Sequence, residues 1–370
     1  MDEFAFWGNH CFCQARPMSW FTLDSMEGGI DLQRSPKRRR SFHPFRFFTF
    51  LAVVALLVWG VSAAIRAVAP SSPAQRGSLA ASPATASALP SSLSTTQAQP
   101  TPSPIPQLSA EGLRSPHAYL IRLQDQAVFF DQAGGERIYP ASMTKVMTAL
   151  LAVEAYDDLS ETVTVPEEIF TELREQNASV AGFSPGERVT VRDLVYGVLL
   201  PSGGDASLTL AQAVSGSEEA FVQRMNEKAS ELGMADTHFT NACGLHAADH
   251  YSTCRDIAVL LSYALKNDTF REAFTASRYS VQPTNAHPEG FTFRSSLFAN
   301  TDGLFSGGKI LGGKTGYTSD AGLCLASLAE KDGVEYILVT AGAQGDHHTD
   351  PYHIEDALLL YGRLPGADRA

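Results

Sequence analysis

The sequence predicts an α+β fold, an antiparallel sheet assembled from the two ends of one domain with a helical cluster alongside. Three observations predict it. Two short β-branched and aromatic runs lie near residue 120, two more lie near residue 330, and five helical periodicities fall between them. In chain order, His117 to Leu123 and Ala127 to Phe130 read as strands around the Gln124-Asp125-Gln126 turn. Ser142 to Ala155 carries Val146, Met147, Leu150, Leu151 and Val153 at helical spacing. Val191 to Leu200, Asp205 to Val214, Glu218 to Leu232 and Cys254 to Lys266 read as further helices. Leu323 to Leu328 and Val334 to Ala341 read as strands split by Lys331-Asp332-Gly333, and Tyr352 to Tyr361 as a final helix.

Composition bounds the rest. At 370 residues and 44% hydrophobic, the chain accommodates one large domain plus appendages. Residues 1–70 hold 8 Lys/Arg and 5 Asp/Glu of the 28 and 40 in the whole chain, leaving 20 and 35, a charge of −15, for residues 71–370. So acidic a remainder excludes nucleic acid as partner.

Residues 1–46 read as a basic cytoplasmic segment and 47–66 as a membrane-spanning anchor. The run from Phe47 to Ile65 is nearly continuous apolar sequence, preceded by Lys37, Arg38, Arg39, Arg40 and Arg46. That charge bias places the N-terminus in the cytoplasm and the remainder outside. Ala67-Val68-Ala69 resembles a signal-peptide cleavage site, so a cleaved leader competes with the anchor, and Met26 offers a second start. Residues 67–110, rich in Pro, Ser, Ala, Thr and Gln, read as an unstructured tether reaching on the order of 100 Å. Residues 111–370 form the exported domain. Of the five cysteines, Cys11 and Cys13 precede the anchor; Cys243 and Cys254 read as isolated apolar residues, with pairing in an oxidising compartment as the alternative.

Three motifs carry chemistry. Ser142 and Lys145 stand at i and i+3, side by side on one helical face, where an unprotonated lysine accepts the serine proton. Ser202-Gly203-Gly204 follows, and then Lys314-Thr315-Gly316, just ahead of a strand-like stretch. Each has a bland reading: an N-cap serine with a solvated lysine, a helix-entry loop capped by Asp205, and a glycine-rich turn. The ordered trio is much rarer than any one of them. His246, His250, His347, His348 and His353 form no ligand pattern with an acidic partner and read as surface or capping residues, so neither metal nor cofactor is expected. Glu187 reads as part of a turn after Pro185-Gly186.

Taken with these motifs, residues 117–366 resemble the D-alanyl-D-alanine carboxypeptidases, serine-type low-molecular-weight penicillin-binding proteins with a β-lactamase/transpeptidase-like domain. The resemblance runs through Tyr139-Pro140-Ala141-Ser142-Met143-Thr144-Lys145, through Ser184 to Leu194, and through Gly244-Leu245-His246 and His250-Tyr251-Ser252-Thr253. It implies that Ser142 attacks the carbonyl between two D-alanines of a peptidoglycan stem peptide, with Lys145 as base and Ser202 as proton relay. Lys145 would be tuned by burial and by the charge of Lys314. The resemblance also implies that Lys314 and Thr315 bind the terminal carboxylate, that Gly316 admits the substrate backbone, and that the amides of Ser142 and Tyr317 form the oxyanion hole. Arg294 loosely resembles a family arginine near that carboxylate. β-Lactams are the implied covalent inhibitors. Gly204 departs from the family pattern, which has asparagine there, and leaves room for a water or another group. Members often carry a C-terminal β-rich domain and anchor helix; here the N-terminal span and tether would take those roles. Two other readings compete: a weak or inactive peptidoglycan-binding sensor, favoured by Gly204, and a serine β-lactamase, disfavoured by the lack of a Glu-x-x-Leu-Asn loop.

Overall fold

A computed structural model describes residues 107–366, His347 excepted. The predicted anchor at 47–66 and most of the tether lie outside the described residues. Among the described residues no helix is long and apolar enough to cross a membrane.

Strands β1 (His117–Arg122) and β2 (Val128–Gln132) form the N-terminal hairpin. Far along the chain, β7 (Leu304–Phe305), β8 (Gly308–Thr318), β9 (Gly322–Lys331) and β10 (Val334–Ala343) complete the sheet. Its order is β2-β1-β10-β9-β8-β7, antiparallel throughout. The two ends of the domain thus meet at β1 and β10, where His117 faces Ala341 and Arg122 faces Tyr336. β9 is buried along nearly its whole length, so its sequence shows a continuous apolar run rather than alternation.

Both faces of the sheet are covered. On one lies α8 (Tyr352–Arg363), which buries Ile354, Ala357, Leu360 and Tyr361 against Leu325, Ala329 and Leu338. On the other lies the helical cluster, centred on α1 (Lys145–Ala155), whose residues from Lys145 to Val153 are all buried. A helix apolar all round belongs in a core, and α3 (Val191–Leu199), α4 (Gly204–Ser215), α5 (Glu218–Glu231), α6 (Cys254–Ala264) and α7 (Asp268–Thr275) wrap α1. Helix α2 (Ile169–Glu175) lies on the outer side of α4. Local signals set the boundaries: Thr190 and Asp193 close a capping box at the start of α3, and Thr253 accepts from Asp256 N to begin α6.

The fold adds elements that the sequence pattern does not reveal. Hairpins β3 (Thr162–Thr164) with β4 (Arg188–Thr190), and β5 (Arg278–Val281) with β6 (Phe291–Arg294), use strands too short to show a period. Lys314-Thr315-Gly316 lies within the 11-residue β8, not ahead of a strand. Gly308, Gly312, Gly313 and Gly316 strip that strand of β-forming side chains, which hides it. Cys243, Cys254 and Cys324 are buried free thiols, so Cys243 and Cys254 are unpaired.

Candidate active site

Ser142 stands in a 3-10 turn, Ala141–Thr144, that leads directly into α1, and Lys145 is the first residue of the helix. The Lys145 Nζ lies 3.1 Å from Ser142 Oγ and donates to Cys243 O at 2.6 Å. That second contact aims the amine. The carbonyl is fixed in turn by Asn241, whose Oδ1 accepts from the amides of Cys243 (3.1 Å), Gly244 (2.7 Å) and Leu245 (3.0 Å). Gly244 has φ +76° and lies so close to the serine turn that a Cβ on it would sit 1.9 Å from Ala141 O; only glycine fits. His250 clamps the same turn from inside. Its Nδ1 accepts from Thr240 N at 3.0 Å, leaving Nε2–H to donate to Thr144 Oγ1 at 2.8 Å. Burial lowers its pKa to about 4, so the ring stays neutral and the bond intact near neutral pH. His250 is thus a core residue rather than the surface or capping histidine expected.

The second motif follows α3. Ser202, 8% exposed, adopts φ +66°, a left-handed conformation that costs a non-glycine residue about 1–3 kcal/mol and needs outside support. Support comes from the loop after α2. Ser179 Oγ donates to Ser202 O at 2.7 Å, and Gly204 N donates to Ser179 O at 2.7 Å. Asp205, fully buried, ties this loop down by accepting from the amides of Ala181 (2.7 Å), Gly182 (3.0 Å) and Phe183 (3.0 Å), and from its neighbour Ala206 at 2.9 Å. Its carboxylate does more than cap α4; it staples a second loop over Ser202.

The third motif lies on β8, whose glycine-rich backbone packs against the serine turn. A Cβ at Gly316 would lie 3.0 Å from Ser142 N and 3.3 Å from Met143 N. Any side chain there would cover the Ser142 amide, so glycine keeps that donor open. Thr315 Oγ1 on β8 lies 2.6 Å from Ser296 Oγ in the turn after β6, so two distant segments contribute a hydroxyl pair. Lys314 is 0% exposed and donates from Nζ to Thr315 O at 2.7 Å.

Burial dominates the electrostatics. It lowers the pKa of Lys145, opposed by Cys243 and by the Asp205 carboxylate. The Cys243 thiol, pushed up to about 12 by its own burial, is uncharged at neutral pH, so Asp205 supplies the standing negative charge. Lys314 is driven well below the ordinary lysine range by burial and then by Lys145. Each ammonium disfavours the other, and burial is the larger cause of the lowering at both lysines.

A serine beside a buried, deprotonation-prone lysine, with an open backbone amide on one side and a Thr315–Ser296 hydroxyl pair joining β8 to the turn after β6, fits nucleophilic acyl transfer. A family model described as D-alanyl-D-alanine carboxypeptidase matches residues 105–345. The chain belongs to this family. It is 37% identical over 232 residues to the D-alanyl-D-alanine carboxypeptidase DacF of Bacillus subtilis, covering 61% of this chain and 57% of that protein. It is 35% identical over 235 residues to DacC of Escherichia coli, covering 61% and 56%. The chain thus spans a little over half the length of these curated relatives. Among solved structures, a Streptomyces DD-transpeptidase superposes with a TM-score of 0.63 at 27% identity, covering 69% of this chain and 98% of that one. A D-alanyl-D-alanine carboxypeptidase of Mycobacterium tuberculosis superposes with a TM-score of 0.59 at 26% identity, covering 70% and 92%.

Within this carboxypeptidase-family domain, Lys145 meets Ser142, Gly316 packs against the Ser142 amide and Lys314 bonds Thr315 O, while two positions differ from expectation. Arg294 is exposed at the end of β6, and it is Ser296, two residues on, that joins Thr315. Gly204 opens α4 and faces no vacancy. A Cβ on it would meet Leu173 Cδ2 at 2.6 Å and Ser179 O at 3.1 Å, so α2 and its following loop fill the space expected to hold a water or another group. Glu187 is fully buried, accepting from Ser184 N at 2.7 Å and Thr284 Oγ1 at 2.6 Å and pairing with His287 at 2.8 Å. It ties the β5–β6 hairpin to the loop before β4. Among the described residues no three His, Cys, Asp or Glu side chains gather as a metal site would.

Two outcomes follow from this geometry. Gly204→Asn forces Leu173 to repack and lowers stability by about 1–3 kcal/mol without raising kcat/KM, checked by thermal melts and peptide kinetics. Asp205→Asn loosens the loop over Ser202 and lowers kcat/KM on the order of tenfold. It also removes the negative charge that favours the Lys145 ammonium, so the Lys145 pKa falls further. Activity that depends on the neutral amine then persists to lower pH, and the acid limb of the kcat/KM profile moves down. A limb that stays in place or moves up contradicts this role.

Proposed function

We propose that this chain is a serine D-alanyl-D-alanine carboxypeptidase that removes the terminal D-alanine from peptidoglycan stem peptides. The observation that carries the reading is the buried Lys145 amine, 3.1 Å from Ser142 Oγ and oriented by Cys243 O.

In this reading the substrate lies along the edge of β8 beyond the short β7 pairing, which reaches only Gly308 and Lys309. Its terminal carboxylate meets the Thr315 and Ser296 hydroxyls, with Lys314 behind. An arriving anion favours the Lys314 ammonium, so the site acquires its positive charge with the ligand. Lys145 Nζ takes the Ser142 proton as Oγ bonds to the carbonyl carbon. The Ser142 and Tyr317 amides receive the oxyanion. As the peptide bond breaks, the leaving amine takes the proton from Lys145 by way of the Ser202 hydroxyl, and D-alanine departs. Water then cleaves the Ser142 ester and restores the hydroxyl. A β-lactam, a cyclic amide with the same anion and carbonyl, acylates the same oxygen. The apolar span at 47–66, with its basic flank, supports anchorage with this domain outside the membrane.

The test is D-alanine release from a peptide ending in D-Ala-D-Ala by the full chain, assayed in membrane and soluble fractions. Release from the membrane fraction, abolished by Ser142→Ala, is expected. Undiminished release by Ser142→Ala contradicts the assignment, and activity found wholly in the soluble fraction contradicts the anchor.

A further inference from the structure

One residue before the carbonyl that receives the Lys145 amine, the backbone is held from both sides by side chains of distant helices. Ala242 is fully buried, and Thr148 Oγ1, three residues along α1 from Lys145, donates to its carbonyl at 2.7 Å. The Ala242 amide donates to Glu218 Oε1 at 2.8 Å. Glu218 is the first residue of α5, just behind the N-cap Ser217, where the helix dipole favours a carboxylate. It forms no ion pair among the described residues, and no step of the reaction proposed above uses it.

Asn241 and Glu218 hold different parts of the same segment. Asn241 Oδ1 accepts from the amides of Cys243, Gly244 and Leu245, whereas Glu218 takes the amide that precedes them. Without the Glu218 bond, Ala242 hangs from Thr148 at a single point about which its peptide can turn. A buried amide left unpaired is costly, so the segment shifts to find a partner. A cavity of about 420 Å³ adjoins Glu218, lined also by Glu219, Asn226, His238, Phe239 and Thr240, and gives room for that shift. Burial raises the Glu218 pKa and the Ala242 amide opposes the rise, so the bond favours the charged acceptor.

The path from Ala242 to the chemistry is short. A turn at Ala242 moves the adjoining Cys243 carbonyl, and that carbonyl fixes where Nζ lies relative to Ser142 Oγ. Misplacing a reacting group by about 1 Å costs on the order of 100-fold in rate.

We propose that Glu218 is a positioning residue for this site: by holding Ala242 N it fixes the segment whose Cys243 carbonyl aims the Lys145 amine at Ser142. The role rests on the function proposed above for its reaction, but acylation of Ser142 by benzylpenicillin reads it separately.

The experiment measures the acylation rate constant and D-alanine release by the full chain, each per site titrated by exhaustive penicillin labelling, below the melting temperature of each variant. Glu218→Ala is expected to lower the acylation rate and kcat on the order of tenfold with KM unchanged, because the substrate does not touch Glu218. Glu218→Gln, which keeps Oε1 without the charge, restores both to within about twofold of the parent. In a Lys145→Ala background, Glu218→Ala produces no further loss, since its effect runs through the amine. Should Glu218→Ala not fold, Glu218→Asp, whose carboxyl stops one methylene short of Ala242 N, takes its place in the same comparisons. An acylation rate unchanged in Glu218→Ala, a Glu218→Gln as slow as Glu218→Ala, or a loss that persists without Lys145 overturns the positioning role. A parent chain that acylates but releases no D-alanine overturns the carboxypeptidase reading, and the acylation rates then decide Glu218 by themselves. A parent chain that does neither overturns both.

Discussion

Keeping the Lys145 amine out of water is the constraint on which the rest of this domain depends. In water a lysine holds its proton and cannot act as a base; 2% exposed, between Ser142 Oγ and Cys243 O, it is biased toward the neutral form. The architecture serves that burial. α1 is enclosed on all sides, so its first residue is enclosed too. Asn241 bonds three successive amides to aim the Cys243 carbonyl, and His250, held neutral, fixes the turn that carries the serine. Neither residue needs to touch the substrate. Both fix where the amine and the hydroxyl meet.

The second consequence is electrostatic. Lys314 is also buried, and the compensating carboxylate, Asp205, is committed to four backbone amides. Two unpaired ammoniums would cost several kcal/mol each. The site resolves this by resting with depressed lysine pKa values, so a substrate anion does more than find a positive charge: it favours one. A ligand lacking the carboxylate would leave Lys314 without that gain. In the proposed function, preference for a free carboxyl terminus and the neutrality of the base would share one cause.

Much of this was legible in the sequence, and the reasons are specific. Ser142 with Lys145, and Gly316 against the Ser142 amide, come from short motifs whose spacing survives as geometry. The long helices show clear periods because each buries a broad face. What stayed hidden lies in contacts between distant segments. Ser296 meets Thr315 only after β6 and β8 are placed, and Asp205 grips Ala181 to Phe183 across 24 to 22 residues. Gly204 read as a gap because a sequence does not say which neighbour faces a missing side chain; in space, Leu173 and Ser179 face it. Cys243 acts through its carbonyl, which no side-chain motif records. The strand under the third motif was masked by its own glycines.

In the proposed reaction Ser142 is the nucleophile because Lys145 removes its proton. The most direct measurement is mass mapping of the full chain after exposure to benzylpenicillin. One covalent adduct is expected, located on Ser142, formed rapidly by the parent chain and slowed by orders of magnitude in Lys145→Ala. An adduct on any other residue, or one on Ser142 that forms equally fast without the Lys145 amine, would contradict it.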